Sequence, residues 1–119
     1  MIVAGFGYRS TAKVSDLLAA LEQTGQTADA LASVAAKATG PLADLADQLN
    51  LPLIAVDEAQ IAHVTTPTQS ERIQNRFATG SLAEAAALVA AGPGAEVIVP
   101  RVSCPNGLAT AAIAEGHTP

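Results

Sequence analysis

Apolar and polar positions along this chain follow two alternating patterns, one typical of buried strands and one typical of helices. Residues 2–4 form a short apolar run that stops at glycine, as a buried strand does. Between residues 14 and 21 the apolar positions fall at i, i+3, i+4 and i+7, which predicts a helix with one buried face. The same spacing returns over residues 42–49. Residues 53–56 are continuously apolar, as in a strand covered on both faces.

A weaker strand is predicted over residues 31–37, because most apolar side chains there are alanine. In the second half of the chain, Ser81 and Glu84 match a capping box that opens a helix to about residue 91. A strand follows over residues 96–102. The turn sequence Cys104-Pro105-Asn106-Gly107 then predicts a hairpin, with residues 108–114 returning antiparallel to that strand.

Strands and helices that alternate in this order predict an α/β fold with a mostly parallel sheet. We expect a three-layer α/β/α sandwich whose five-stranded sheet ends in the antiparallel hairpin. The chain has 119 residues and no linker, repeat or low-complexity tract, so we interpret residues 1–119 as a single domain. Its ordered core is expected over residues 2–114.

Composition narrows the partners that such a domain can have. The formal net charge is −5, from 11 acidic and 6 basic side chains, which argues against nucleic acid because phosphate binding needs many Lys and Arg residues. A single cysteine excludes an internal disulfide and a cysteine-based metal cage, and we expect neither a metal nor a cofactor. The first residues do not resemble a signal peptide and no segment suits a membrane span. We therefore expect a cytoplasmic protein.

The segment from Gly5 to Thr11, between the first strand and the first helix, is the leading candidate for a binding site. Ligands of open parallel sheets bind at the carboxyl ends of the strands. Glycines let the backbone approach a ligand, and the amides that begin a helix favour an anion. The predicted contacts are Gly7, Tyr8, Arg9, Ser10 and Thr11. The segment lacks the third glycine of a dinucleotide fingerprint, and a turn that merely caps its helix explains it equally well.

Positive side chains at other predicted strand ends strengthen the binding hypothesis. Lys13 lies at the start of the first helix, where a positive charge opposes the helix dipole. Lys37 closes the second predicted strand, and Arg101 follows the apolar part of the fourth. With Arg9 they would form a basic edge on an acidic protein, which suits a polyanionic ligand. Solvated charges at strand ends are the simpler alternative.

Other polar segments are weaker candidates. Thr66 and Thr68 belong to a hydroxyl-rich loop after the third strand and are predicted to border the same cleft. Arg72 and Arg76 share a helix face and are expected to be ordinary surface residues. Cys104 has no histidine nearby to activate it, so a structural turn residue is the simpler interpretation.

Taken in order, these segments resemble the CobE proteins and the C-terminal domain of CbiG, from cobalamin biosynthesis. The likeness spans residues 2–114 and is carried by Gly5-Phe6-Gly7-Tyr8-Arg9-Ser10-Thr11, by Lys37 before Pro41, by Thr66-Pro67 and by the stretch 80–88. The length is similar to that of free-standing CobE. In one departure, Thr39-Gly40-Pro41 stands where the family often has an acidic residue shortly after the matching lysine.

The resemblance implies an α/β/α domain that acts in assembly of the corrin ring. CbiG-type proteins open a lactone on a cobalt-bearing ring intermediate and release acetaldehyde. Corrin precursors are flat and fringed with carboxylates, so the basic edge would clamp carboxylates, and Phe6 and Tyr8 would offer the ring an apolar ledge. Lactone opening also needs an activated water or a base, and the sequence offers no convincing one.

Three functions remain open on these grounds. The first is a protein that binds a corrin-ring precursor, either as an enzyme or as an aid to another cobalamin-biosynthesis enzyme. The second is an enzyme acting on a small phosphorylated or carboxylated metabolite at the 5–11 segment, which a narrow pocket would indicate. The third is a non-catalytic interaction subunit, which a large apolar surface patch would indicate.

Overall fold

In the computed structural model, which describes residues 1–77 and 79–116, strands and helices alternate until the chain closes with a hairpin. The strands are β1 Ile2–Tyr8, β2 Ala30–Val34, β3 Leu53–Val56, β4 Glu96–Ser103 and β5 Ala109–Glu115. The helices are α1 Val14–Gln23, α2 Gly40–Leu49, α3 Glu58–Ile61, α4 Glu71–Phe77 and α5 Leu82–Ala91. A single 3₁₀ turn, Ala35–Lys37, follows β2. Within the described residues no helix is long and apolar enough to span a membrane.

The sheet has the strand order β3-β2-β1-β5-β4. β1 pairs in parallel with β2, and β2 with β3, whereas β5 runs antiparallel to both β1 and β4. Four strands therefore point the same way and only β5 is reversed, as follows from these pairings. The predicted α/β fold, with a mostly parallel sheet and a final hairpin, is confirmed.

Each face of the sheet carries its own apolar cluster, which gives the sandwich its three layers. On one face, α1 and α2 pack over side chains such as Phe6, Leu31 and Ile113. On the other face, α3, α4 and α5 pack over Val34 and Val56. Strand residues alternate between the two clusters, as the pleat requires.

β1 is longer than the sequence pattern predicts, because Gly5 does not end it. Gly5 pairs with Ala32 of β2 and with Ala112 of β5. A Cβ atom at Gly5 would collide with the backbone of α5 at Ala83 and Ala87. Glycine is therefore required here so that α5 can lie close to the sheet, and the first half of the predicted loop is strand.

The cap of α1 also differs from the sequence-based expectation. Lys13, rather than Ser10 or Thr11, is the N-cap residue, and its backbone N–H donates to the Asp16 carboxylate at 2.9 Å. The chain needs the extra residues because Arg9 and Ala12 first form a turn, with the Ala12 N–H bonded to the Arg9 carbonyl at 2.9 Å.

β4 contains a bulge close to its carboxyl end. The register pairs Val99 with Ile113 and then Val102 with Ala111, so β4 has one more residue than β5 across this step. Strict alternation would place Arg101 on the same face as Val99, which packs against the α1 cluster. The extra residue turns Arg101 to the opposite face, as bulges commonly do near binding sites.

Candidate functional site

A cleft of about 580 Å³ opens at the carboxyl end of β1, beside the start of β5. This is the edge at which open α/β sheets place their ligands. The lining comes from the ends of β1, β4 and β5, from the 3₁₀ turn after β2 and from α4 and α5. It consists of Gly7, Tyr8, Arg9, Ser10, Lys37, Ser70, Arg72, Ile73, Leu82, Arg101, Ser103, Gly107, Leu108 and Thr110.

The cleft concentrates the positive charge of an otherwise acidic protein. Four of the six basic residues line it, namely Arg9, Lys37, Arg72 and Arg101. No carboxylate side chain is among the described residues that line it, although the chain has 11. Arg9 and Arg72 are exposed, whereas Lys37 and Arg101 are half-buried. The wall therefore presents positively charged hydrogen-bond donors both at the surface and partly buried in the cleft. This arrangement suits a ligand with several negative groups.

Tyr8 and Lys37 hold the end of β1 to the turn that follows β2. The Tyr8 hydroxyl donates to the carbonyl oxygens of Lys37, at 2.6 Å, and Thr39, at 3.1 Å. The Lys37 ammonium donates to the Tyr8 carbonyl at 2.7 Å and lies 5.0 Å from the centre of the Tyr8 ring. That distance suits a cation–π contact. The pair fixes where the lysine sits on the cleft wall.

Burial and neighbouring positive charge both act on the Lys37 ammonium. Desolvation lowers the pKa of Lys37 below its ordinary value, and the charges of Arg72 and Arg76 lower it further. Burial also raises the pKa of the Tyr8 phenol, which keeps it protonated as a donor. Lys37 is therefore easier to deprotonate than a solvated lysine.

Arg101 is fixed from beneath by a fully buried carboxylate. Glu84 of α5 has no exposed surface, and its Oε2 accepts a hydrogen bond from the Arg101 backbone N–H at 2.7 Å. The same carboxylate accepts from the Thr68 N–H at 2.8 Å and from the Thr68 hydroxyl at 2.7 Å. The proposed capping box is therefore half correct: the Ser81 hydroxyl caps α5, but the Glu84 side chain turns to the cleft wall instead of back to Ser81.

Thr66 and Thr68 support the cleft and do not line it. Thr66 is buried, and its hydroxyl donates to the Thr68 carbonyl at 2.8 Å. The loop is closed where the Ser70 N–H bonds the Gly80 carbonyl at 2.7 Å. These bonds place Ser70 and the start of α4 on the wall of the cleft. Thr66 and Thr68 are not among the residues that line this cleft, and their hydroxyls bond inside the protein, so their contact with a ligand stays a prediction.

The remaining candidates of the 5–11 segment divide between cleft, surface and core. Gly7 lines the cleft, and its carbonyl accepts from the Thr110 hydroxyl at 3.2 Å. Ser10 also lines it, whereas Thr11 is exposed outside the lining. Phe6 has no exposed surface, so it cannot serve as a ledge for a ligand.

The start of α1 is a weaker site for an anionic ligand than the sequence suggests, because the Asp16 carboxylate already accepts a hydrogen bond there. Asp16 Oδ2 accepts from the Lys13 N–H, and Asp16 Oδ1 accepts from the Asn106 side chain at 2.9 Å. Lys13 is exposed and does not belong to the cleft lining. The positive charge available to a ligand therefore comes from side chains, not from this helix terminus.

Sequence reasoning missed Arg72, which lines the cleft from the first turn of α4. A cation at the start of a helix opposes the dipole, and the same signal drew attention to Lys13. The same criterion, a positive charge in the first turn of a helix, also identifies Arg72. Ser103, Leu108 and Thr110 were also missed, and their place on the cleft depends on the pairing of β4 with β5.

Comparison with known proteins gives one family and several similar structures. The family model "Cobalamin synthesis G C-terminus" matches residues 2–114. The 1.7 Å crystal structure of CobE, a protein from the cobalamin (vitamin B12) biosynthetic pathway, is similar with a TM-score of 0.84 and 30% identity, over 100% of this chain and 92% of that one. The cobalamin biosynthesis protein chiG from Agrobacterium tumefaciens is similar with a TM-score of 0.73 and 32% identity, over 99% of this chain and 100% of that one.

A more distant similarity supports the fold alone. A putative cobalamin biosynthesis protein G homolog from Sulfolobus solfataricus has a TM-score of 0.72 at 19% identity, over 98% of this chain and 37% of that one. No curated protein sequence matches the chain.

Proposed function

Because this chain belongs to the CobE and CbiG C-terminal domain family of cobalamin biosynthesis proteins, we propose that its cleft binds a corrin-ring precursor by the carboxylates at the edge of the ring. The observation that carries the proposal is the charge of the wall. Arg9, Lys37, Arg72 and Arg101 converge there, without a carboxylate among the described lining residues.

The two aromatic residues of the 5–11 segment, Phe6 and Tyr8, favour recognition of the rim of the ring over stacking on its face. Phe6 lies in the core, and the Tyr8 ring already has the Lys37 ammonium at 5.0 Å. Stacking needs an accessible aromatic face, whereas carboxylate recognition needs guanidinium and ammonium donors. A macrocycle would thus place one edge in the cleft and leave the remainder accessible.

The form of the cleft favours a large ligand over a small metabolite. It is lined in part by exposed residues, including Arg9, Arg72 and Gly107, so it is open along one side. A small phosphorylated metabolite would be better served by an enclosed pocket that buries most of its surface. The breadth of the charged wall suits several carboxylates spaced around a ring.

Within this proposal the protein binds and orients the precursor, and another cobalamin-biosynthesis enzyme works on the accessible part. Lactone opening needs a base near the attacking water. No Asp, Glu, His or Cys is among the described residues that line the cleft. Lys37 and Tyr8 also line it, but both side chains donate hydrogen bonds to backbone carbonyls, so we assign base catalysis at the lactone to the partner enzyme.

The test is a titration of the protein with a corrinoid that has free carboxylates, followed by visible absorbance. Its fully esterified counterpart is the matched ligand control, since the ring is the same and the negative charge is gone. Arg101→Ala should weaken binding by about fivefold, which corresponds to about 1 kcal/mol for one partly exposed ion pair. Lys13→Ala removes an equal charge outside the cleft and should leave the affinity unchanged.

Equal affinity for acid and ester would contradict the proposal, because it would show that the ring and not its charge is recognised. Tighter binding of a small phosphate ester than of the corrinoid would favour the metabolite enzyme. Equal losses from Arg101→Ala and Lys13→Ala would show that only net charge matters and that the cleft has no special role.

A further inference from the structure

Lys37 occupies a position that binding alone does not explain. Its ammonium reaches the cleft wall but donates to a neutral backbone carbonyl, that of Tyr8, at 2.7 Å. In the part of the chain that the structure describes, no carboxylate pairs with it, and the one side-chain ion pair joins Arg76 to Glu58. A half-buried ammonium without a counter-ion, in a cleft of like charge, loses its proton more easily than a solvated one.

Positive charge predominates among the side chains around Lys37, although the Tyr8 carbonyl and ring favour the ammonium and the Glu58 carboxylate of α3 offsets the charge of Arg76 at 3.1 Å. The Tyr8 phenol lies beside it on β1 and stays neutral, while Arg72 and Arg76 face it from α4 and carry fixed positive charges. Arg9 and Arg101 add two further positive charges to the same cleft. Burial and these guanidinium groups lower the pKa of Lys37. Desolvation and neighbouring cations are the two means by which proteins make a lysine amine nucleophilic.

We propose that Lys37 is a nucleophilic amine that forms a Schiff base with carbonyl compounds bearing an anionic group. The guanidinium groups of Arg72 and Arg101 would hold the anion, and the lysine would attack the carbonyl carbon. This activity requires the cleft but does not depend on a corrinoid ligand, so it goes beyond the function proposed above.

The reaction balances without any oxidant or reductant. The neutral Lys37 amine adds its electron pair to the carbonyl carbon, and one proton passes from the nitrogen to the carbonyl oxygen to give a carbinolamine. Loss of that oxygen as water then leaves a C=N bond, which is protonated as an iminium. Hydrolysis reverses both steps and restores the amine. The cationic wall favours the sequence because the anionic group of the reagent offsets the charge that the iminium restores.

The chain allows a sharp test because its lysines are Lys13 and Lys37 alone. Pyridoxal 5′-phosphate is the probe: an aldehyde with an anionic group, whose imine absorbs visible light and is fixed by borohydride as a stable secondary amine. Peptide mass spectrometry then counts pyridoxyl groups at Lys37, at Lys13 and at the N-terminal amine. Lys37 should be labelled about tenfold faster than Lys13, since a cationic cleft concentrates an anionic reagent.

Two matched controls separate chemistry from charge. Pyridoxal without the phosphate should lose most of the preference for Lys37, because Arg72 and Arg101 no longer attract it. Lys37→Arg keeps the charge and should abolish labelling at that position and most of the imine absorbance, whereas Lys13→Arg should leave the labelling of Lys37 unchanged and remove little of the absorbance. Far-ultraviolet circular dichroism confirms that each variant is folded.

The pH dependence of labelling tests whether the Lys37 amine is easier to deprotonate, which electrostatic attraction of the reagent to the cleft would not by itself produce. Labelling of Lys37 should begin at lower pH than labelling of Lys13, and Arg72→Gln should move the Lys37 profile toward that of Lys13. Equal labelling of the two lysines, or identical pH profiles, would overturn the inference. Because corrinoid affinity is not measured in these experiments, their failure leaves the proposed binding function standing, and loss of corrinoid binding would leave this inference standing.

Discussion

Tyr8 and Lys37 each use a side chain to bond the main-chain carbonyl of the other, with donor–acceptor distances of 2.6 Å and 2.7 Å. The two residues are 29 positions apart in sequence: Tyr8 ends β1, and Lys37 ends the 3₁₀ turn that follows the neighbouring parallel strand β2. Two reciprocal bonds fix the separation of these segments more firmly than one bond would, because each bond remains when the other side chain rotates away.

Tyr8→Phe should destabilise the fold without changing its shape. The substitution removes the hydroxyl that donates to the carbonyls of Lys37 and Thr39 while the ring remains. Loss of a hydrogen bond of this kind costs about 1 kcal/mol, which denaturant unfolding can measure. The control is Thr11→Val, which removes an exposed hydroxyl outside the cleft. A Tyr8→Phe protein as stable as the control would show that the clamp contributes nothing.

The contribution of Lys37 to the stability of the protein should rise with pH up to 10.5. Its pKa is lower in the folded state than the ordinary value of 10.5, so the unfolded chain binds more protons between the two values. Unfolding free energy increases with pH wherever the unfolded state holds more protons. Lys37→Arg does not titrate in this range, so the difference in unfolding free energy, wild type minus variant, should increase with pH until 10.5. A difference that is flat from neutral pH to that point would contradict the shift.

Tyr8 should act in the opposite direction at higher pH. Its folded-state pKa is raised above the ordinary value of 10.0, so the folded protein retains a proton that the unfolded chain has lost. Stability should therefore fall as the pH rises past 10.0, and Tyr8→Phe should reduce that fall. Because this is the only tyrosine of the chain, its ultraviolet absorbance reports the titration directly.

Glu84→Gln should weaken both the fold and the cleft. The buried carboxylate accepts bonds from Thr68 and from the Arg101 N–H, and an amide turns one of its two acceptors into a donor. Hydrogen bonds to charged groups contribute about 1.5–3 kcal/mol, so we expect a loss of about 2 kcal/mol in unfolding free energy. Corrinoid affinity should fall as Arg101 loses its anchor. Glu22→Gln, at an exposed position, is the control and should change neither quantity.

The two glycines of β1 should differ in their response to alanine. At Gly5 the added methyl group meets the backbone of α5, which cannot move without shifting the helix, so we expect a loss of about 3 kcal/mol. At Gly7 the nearest atom is the Thr110 hydroxyl at 3.1 Å, which a side-chain rotation can displace. Gly7→Ala should therefore fold and affect chiefly binding. Similar melting temperatures for the two variants would contradict this account.

The sequence was sufficient for the parts of the site that follow from strand direction. Arg9 and Lys37 come after neighbouring parallel strands, whose carboxyl ends share one edge of the sheet, and the structure brings them to the same cleft. Arg101 joins them because β4 runs in the same direction. The alternation of apolar runs with helices carries this inference, since it indicates which segments are strands and so which ends meet, although β2 ends at Val34 and Lys37 lies in the 3₁₀ turn after it.

The sequence was insufficient where the answer depends on packing between distant segments. The apolar pattern predicts that β1 ends at Gly5, because nothing local shows that α5 lies against this glycine. Had the strand been continued to Tyr8, the period of two would have placed Phe6 with Ala4 in the core. The roles of Arg72 and Glu84 depend on where α4 and α5 dock, which no short-range pattern contains.

The bulge in β4 explains how the Glu84 side chain of α5, which covers the sheet, can accept a hydrogen bond from the backbone of a strand. In a regular strand the N–H groups lie in the plane of the sheet and face neighbouring strands, out of reach of side chains on a covering helix. The surplus residue tips the amide of Arg101 out of that plane, toward Glu84. Deletion of Pro100 would make the pairing of β4 with β5 more regular and would leave the Arg101 side chain on its present face of the sheet. The Arg101 N–H would then lie in the plane of the sheet, and the buried Glu84 carboxylate would lose this hydrogen bond. The irregular strand and the buried carboxylate of α5 therefore depend on each other, because the bulge supplies one of the donors that Glu84 accepts.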